Sequence, residues 1–254
     1  MWRWSRERPA GSVFTVKPAG TTYALDVEFF ATPPIDGVFC EYVAHPASLC
    51  FRLPENMDTI EGALIEPLAV GFHAANQGGA RLGQKAVVMG AGCIGLMTLL
   101  ALKAFGVTEV YVVDVMENRL AKAKELGAAG IINGKEQDAV EELMRATAGK
   151  GMDLCIDTAG SQITMNQCIG AAAKGAAVVF VGYSAQDQVS LDINNALNKE
   201  LTFKTVFRYR NLYPLAIEAV SQGLNVKGVV TDFFKFDDVA QGDGSFCFQL
   251  KRKL

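Results

Sequence analysis

Histidine and paired cysteine are the scarcest chemistry in this chain. It has two histidines, His45 and His73, and six cysteines, Cys40, Cys50, Cys93, Cys155, Cys168 and Cys247, no two of which form a C-x-x-C. No zinc-ligand spacing is legible as the chain stands, and small buried thiols are expected rather than a disulfide framework. Basic residues are not in surplus either. Twenty-four Lys and Arg against 27 Asp and Glu leave a net charge of −3 and a pI near 5.5. That excludes a general nucleic-acid binder, which needs excess cations to displace counterions from phosphate. Nor is any uncharged run long enough to span a bilayer. The longest lies between Lys85 and Lys103 and is punctuated by Gly90, Gly92 and Gly95, so it reads as a buried strand and helix, and no membrane partner is expected. The N-terminus lacks an apolar h-region. Its Arg bias hints at a transit peptide, but Trp2, Trp4, Glu7, Pro9 and Pro18 fit that poorly. A cytoplasmic location is expected.

What is present is apolar and regularly patterned. Half of the 254 residues are hydrophobic and 20% are charged, enough for a sizeable core and too apolar for a disordered chain. From Leu82 to about Thr205, short apolar runs alternate with helical periodicity. Strands are expected over residues 86–89, 109–113, 130–132, 154–156, 176–181 and 201–206. Helices are expected over 94–105, 118–126, 138–147, 163–173 and 212–222. Strands and helices at this spacing mean βαβ units and a parallel sheet, so the expected fold class is doubly wound α/β. Residues 29–67 are rich in aromatics and prolines, and residues 38–43 and 48–51 suggest short strands of a β-rich piece. Residues 1–25 and 241–254 follow neither period.

One motif carries specific chemistry. Gly90-x-Gly92-x-x-Gly95 follows an expected strand and opens an expected helix. The first glycine permits a tight turn, the second lets backbone approach a pyrophosphate, and the third lets helix pack on strand. The helix N-terminus then offers N–H groups and a positive dipole end. Asp114 ends the next strand, about 20 residues on, where a carboxylate suits the adenosine ribose hydroxyls and repels a 2′-phosphate. This favours NAD over NADP, although Arg119 nearby can serve either cofactor. The competing reading is a glycine-rich turn with Asp114 merely capping a helix.

Other polar residues are ambiguous on spacing alone. Glu66, before Pro67, reads as a carboxylate at the N-terminal turn of a helix. Arg208 reads as a solvated charge and Tyr209 as a half-buried ring. His45 and His73 read as structural, and Asp153 and Asp157 as solvated loop ends.

Several stretches together resemble sorbitol (polyol) dehydrogenases of the zinc-dependent medium-chain family. They are Phe29-Phe30-Ala31-Thr32-Pro33-Pro34, Asp36-Gly37, Glu61-Gly62-Ala63-Leu64-Ile65-Glu66-Pro67-Leu68, the glycine fingerprint and Val206-Phe207-Arg208-Tyr209. The resemblance covers roughly Asp26 to Val239. It implies a Rossmann domain over residues 76–210, a remnant of a β-rich, GroES-like catalytic domain over 26–75 and a C-terminal return segment over 211–254. It implies NAD-dependent oxidation of a secondary alcohol on a sorbitol- or xylitol-type polyol to the ketose, with zinc as the family's Lewis acid. By motif, Glu66 would meet substrate or metal-bound water. Arg208 and Tyr209 would meet substrate. Gly90, Gly92, Ile94, Gly95, Asp114, Arg119, Val181, Gly182, Tyr183, Val206, Phe207 and Arg208 would meet cofactor. The resemblance also implies a homo-oligomer joined through the Rossmann domain.

The family's Cys and His-Glu zinc ligands would fall before the resemblance begins, and its four-cysteine lobe is absent as written. Hence little or no turnover by this chain alone is expected, and the alternative is a catalytically dead NAD-binding or hetero-oligomerising subunit. A zinc-independent reductase is disfavoured by Glu66 and Arg208-Tyr209. The aberrant segment over residues 1–25 has a further reading. Suitable synonymous codons for residues 2–25, read one base over, can encode a C-x2-C-x2-C-x7-C stretch like the family's cysteine lobe. From Gln241 another frame can give K-A-M-E-V-S-V-S-N, like the family's next helix. Both ends are therefore expected to be frame-shifted translation. Codons incompatible with the shifted readings, seen in the genomic DNA, would end that idea.

Overall fold

The computed structural model describes residues 2–4, 7–8, 28–32, 34–38, 40–235 and 248–251. Most of both aberrant ends, Cys247 included, therefore lies outside the described residues, and the frame-shifted readings with it.

Six strands form one parallel sheet: β1 (Lys85–Met89), β2 (Glu109–Asp114), β3 (Gly130–Asn133), β4 (Met152–Asp157), β5 (Ala172–Phe180) and β6 (Thr202–Thr205), in the order β6-β5-β4-β1-β2-β3. The helices are α1 (Thr59–Gln77), α2 (Cys93–Ala104), α3 (Glu117–Glu125), α4 (Ala139–Ala146), α5 (Gln162–Ala171), α6 (Ile193–Asn198) and α7 (Tyr213–Ser221). The expected doubly wound fold is thus present. β1 is central because it is apolar on both faces: Ala86, Val87, Val88 and Met89 are fully buried, as a covered parallel strand requires. The strand order reverses between β1 and β4, which opens a crevice at their carboxyl ends. α2, apolar nearly all round, is buried from Gly95 to Leu102, as its pattern predicts.

The region before β1 departs from expectation. α1 begins at a capping box, in which Asp58 accepts from the Glu61 N–H while the Glu61 side chain accepts from the Asp58 N–H. Glu66 is therefore in mid-helix, and Pro67 lies inside the helix rather than at its first turn. Proline preceded by an acid looks like a helix start; the capping box upstream and the packing of α1 on α2 outweigh it. Residues 36–38 and 40–43 form no strand, whereas the second suggestion survives as Cys50–Arg52, entered from the 3-10 turn Ala47–Leu49. Cys50–Arg52 pairs antiparallel with Trp2–Trp4. α6 has no counterpart among the expected helices.

α1 joins the sheet domain by close backbone contact. A Cβ on Gly71 would lie 2.6 Å from the Met97 carbonyl oxygen, so the two helices cross at a distance only glycine permits. Ile65, Leu68 and Ala69 are completely buried in the same core as Met97, Leu99 and Leu102.

Two expected results follow from local chemistry. Ala148, exposed just after α4, has φ 51°, a conformation that costs a residue with a Cβ about 1–2 kcal/mol. Ala148→Gly relieves that at some cost in backbone entropy. A net gain of about 1 kcal/mol, raising the thermal midpoint by about 2–4 °C in calorimetry, is expected; no rise would contradict the assignment of strain.

His73, 7% exposed on α1, is held neutral. Burial, with the Arg210 charge adding to it, lowers its pKa to about 4. Between pH 6.5 and 4 the unfolded chain binds a proton that the folded chain refuses, so this stabilisation is complete above 6.5 and lost on acidification toward 4. The full effect is on the order of 3 kcal/mol. His73→Gln is expected to flatten the dependence of the urea midpoint on pH across that window; an unchanged slope would assign it to other groups.

Candidate functional site

The glycine loop lies where β1 turns into α2. Gly90 has φ 98°, and its N–H donates to the Val113 carbonyl at 2.7 Å. A Cβ on Gly95 would lie 1.9 Å from the Gly90 carbonyl oxygen, so the third glycine is there for helix-on-loop packing. A Cβ on Gly92 would meet nothing within 4 Å, and Gly92 caps α2 without a side-chain acceptor. The N-terminus of α2, with Cys93, Ile94 and Gly95 in its first turn, therefore meets open space at the residue where a pyrophosphate would approach.

Asp114 is tied into this loop. Its Oδ2 accepts from the Ala91 N–H at 2.6 Å, and its Oδ1 accepts from the N–H groups of Val115 and Met116 at 2.7 and 2.9 Å. A carboxylate has about four acceptor sites, so three N–H donors orient it and leave one site on Oδ2. Asp114 is 8% exposed, and its carboxylate joins two strand ends rather than capping a helix by itself. Arg119, half-buried on α3, follows one turn later.

The other edges of the crevice come from β4, β5 and β6. Thr158 Oγ1 donates toward the carbonyls of Met89 (2.9 Å) and Gly90 (3.2 Å), locking the β4 exit to the glycine loop. The N–H groups of Val181 and Gly182 both donate to the Asp157 carbonyl, at 2.8 and 3.1 Å. Gly182 backs onto Gly160, where an added Cβ would lie 2.4 Å from the Gly160 nitrogen. Tyr183 is exposed. Val206 donates to the Phe180 carbonyl at 2.9 Å, and Phe207 follows, half-exposed. The glycine loop, 158–160, 181–183 and 206–208 thus all sit at the carboxyl ends of adjacent strands.

Asp157 is not the solvated loop end expected of it. It is fully buried, its Oδ2 accepts from the Gly160 N–H at 3.0 Å, and burial pushes its pKa up against the pull of its hydrogen-bond donors. Spacing alone gives Asp157 and Thr158 no place at the crevice. The run Asp157-Thr158-Ala159-Gly160 at a strand end was the available signal, but depth of burial is invisible in a sequence.

Arg208 carries φ 62°, a strained conformation for a residue with a Cβ. Its Nη2 donates to Thr32 Oγ1 at 3.0 Å, and its guanidinium lies 4.6 Å from the Phe207 ring centroid. Two motifs 176 residues apart therefore meet, which sequence could not show. Tyr209 is only 2% exposed rather than half-buried. Its hydroxyl is 3.1 Å from that of Tyr213, and the two rings pack at 5.1 Å. Glu66 is half-buried in mid-α1. His45 rests against Phe30.

Among the described residues no three His, Cys, Asp or Glu side chains converge on a possible metal position. The described residues therefore do not form a site that fits the zinc of the resembled family. Cys155 and Cys168 are buried, with the Cys155 thiol pushed up to about 12, whereas Cys40 is exposed. No helix among the described residues is long and apolar enough to cross a membrane.

A doubly wound parallel sheet with a glycine loop and an acid at the next strand end defines a dinucleotide-binding domain of the dehydrogenase type. Residues 93–222, just over half the chain, match the family described as zinc-binding dehydrogenase, and the chain belongs to that family. It is 45% identical over 218 residues to the uncharacterized zinc-type alcohol dehydrogenase-like protein YdjJ of Escherichia coli, covering 85% of this chain and 62% of that one. It is 37% identical over 213 residues to sorbitol dehydrogenase of Bacillus subtilis, covering 84% and 60%. Among solved structures, an Escherichia coli oxidoreductase/dehydrogenase of unknown specificity superposes with TM-score 0.90 at 36% identity, over 99% of this chain and 75% of that one. The chain spans about six-tenths of the length of the two curated relatives.

Proposed function

We propose that this chain is the cofactor-binding part of an NAD-dependent polyol dehydrogenase, which oxidises a secondary alcohol of a sorbitol- or xylitol-type polyol to the ketose. The observation that carries the reading is the Asp114 carboxylate, fixed by three backbone N–H groups beside an unobstructed Gly92. A nicotinamide dinucleotide held there would supply the hydride acceptor for the alcohol oxidation. Gly92 and the first turn of α2 would receive the pyrophosphate. Asp114 would accept from a ribose hydroxyl with its remaining site and repel a 2′-phosphate. Arg119 would lie at the adenosine end.

The segments at residues 181–183 and 206–208 would line the path toward the nicotinamide. Arg208, held by Thr32 and Phe207, would stand beside cofactor or substrate oxygens. Glu66 and Tyr209 would stand on the substrate side. For Tyr209 that role requires its hydroxyl to exchange its Tyr213 partner for a substrate hydroxyl. NADH binding with little or no polyol oxidation is the outcome expected of this chain by itself.

The test is a fluorescence titration of the full chain with NADH and NADPH. NADH is expected to bind at least tenfold more tightly, and Asp114→Ala is expected to erase the preference while weakening NADH binding about tenfold or more. Equal affinities in the unsubstituted chain would overturn the NAD assignment. Robust sorbitol oxidation by it would overturn the expected inactivity.

A second reading is a non-catalytic NAD-binding subunit that pairs with a second copy or a full-length relative. It is favoured by β6, the sheet's end strand, whose four residues are all exposed and which carries Phe203 against Phe180. Such an edge is a template for strand addition. Co-purification with a full-length relative would support it, and a monomer in sedimentation that captures no relative would oppose it.

A further inference from the structure

The end of the sheet opposite the crevice has its own cavity. It measures about 380 Å³ and lies where β1, β4 and β5 begin, walled by Gly79, Arg81, Gln84, Asp153, Lys174 and Gly175. It takes no part in the cofactor site.

Its wall is a set of donors. Arg81 and Lys174 are exposed, and neither forms an ion pair with another described residue. The Gln84 Oε1 accepts from the Arg81 N–H at 2.9 Å, which leaves the amide NH₂ as that side chain's remaining polar group. The one carboxylate of the wall is held to backbone through one of its oxygens. Asp153 Oδ2 accepts from the Lys85 N–H at 2.8 Å. The C-terminal end of α1, which would otherwise present negative carbonyls here, is closed on itself: Gly78, Gly79 and Ala80 donate to the carbonyls of Ala74, Asn76 and Ala75. Gly79 (φ 65°) and Gly175 (φ 75°) keep the rim free of side chains. Two cations and one carboxylate leave the cavity with a net positive charge. Guanidinium plus ammonium is a pair suited to phosphate oxygens.

We propose that this cavity binds a phosphate dianion, either free phosphate or the phosphoryl group of a small phosphorylated metabolite, at a site separate from the dinucleotide crevice. Arg81 grips two oxygens, Lys174 neutralises the remaining charge, and Gln84 donates to a third oxygen.

The experiment is isothermal titration of the full chain with inorganic phosphate and, separately, with glycerol 3-phosphate, at low ionic strength in a non-phosphate buffer. Saturable binding of either probe is expected. Arg81→Gln and Lys174→Gln should each weaken it about five- to tenfold, and the double variant should abolish it. Tighter binding of the ester identifies a metabolite as the ligand, and equal binding identifies free phosphate. Both variants are far from the glycine loop, so their NADH titrations should match the unsubstituted chain. Phosphate binding that the double variant retains, or that Gly95→Ala removes while Arg81→Gln does not, would place the anion at the glycine loop and overturn the proposal, as would no binding of either probe.

Discussion

Gly95→Ala should reduce NADH affinity by at least a hundredfold, and the reason is steric rather than chemical. The new Cβ would sit 1.9 Å from the Gly90 carbonyl oxygen and 2.8 Å from its carbon. Both are backbone atoms of the loop itself, so either α2 moves out or the loop moves up. Either movement breaks the alignment of the α2 N-terminus with the pyrophosphate position and strains the Ala91 N–H bond to Asp114. The contrasting variant is Gly92→Ala. Nothing lies within 4 Å of its Cβ, so the thermal midpoint should stay within about 2 °C. NADH binding should still fall about tenfold or more, because the methyl occupies the space through which the pyrophosphate approaches. Fluorescence titration and calorimetry on the two variants separate the roles. If Gly92→Ala bound NADH as tightly as the unsubstituted chain, the crevice would not be the cofactor site.

The largest loss of stability is expected from Gly71→Ala. Its Cβ would lie 2.6 Å from the Met97 carbonyl oxygen, 2.7 Å from its carbon and 2.9 Å from the Thr98 nitrogen. All three are backbone atoms in the middle of a buried helix, so no side-chain rotation relieves the contact. α1 must lift from α2 and open the layer holding Ile65, Leu68 and Leu99, all completely buried. Overpacking of this kind costs about 3 kcal/mol. For a chain of this size the thermal midpoint should fall by about 6–12 °C. Urea unfolding followed by circular dichroism checks it, and a midpoint within experimental error of the unsubstituted chain would mean that the helices do not meet at Gly71.

The legible part of the site was the part encoded locally. Gly90, Gly92, Gly95 and Asp114 announce themselves because turn, helix start and strand end are short-range features with fixed residue requirements. Thr158 and Asp157 escaped because their partners are distant in sequence. Thr158 Oγ1 reaches Met89, 69 residues away, and Asp157 is buried by elements that precede and follow it. Arg208 was singled out, yet its contact with Thr32 and its strained φ depend on a loop placed by β6. The false start at Pro67 has the same origin. A proline is a local helix signal, and long-range packing of α1 on α2 overrode it.

By itself the sequence determined the layered α/β architecture, because hydrophobic period and strand-helix spacing are properties of neighbouring residues and admit few topologies. It also marked the candidate dinucleotide loop, because the positive φ of Gly90 and the close approach of Gly95 to the Gly90 carbonyl are demands that glycine meets. Only the tertiary structure decided which acids are solvated and which are buried, that Asp114 is bonded to the loop it serves, that α1 belongs to the core of the sheet domain, and that Arg81 and Lys174 share a cavity. Those properties depend on distances between residues far apart in the chain. Burial and electrostatic environment are set by what packs around a side chain, and nothing in its immediate sequence carries that information.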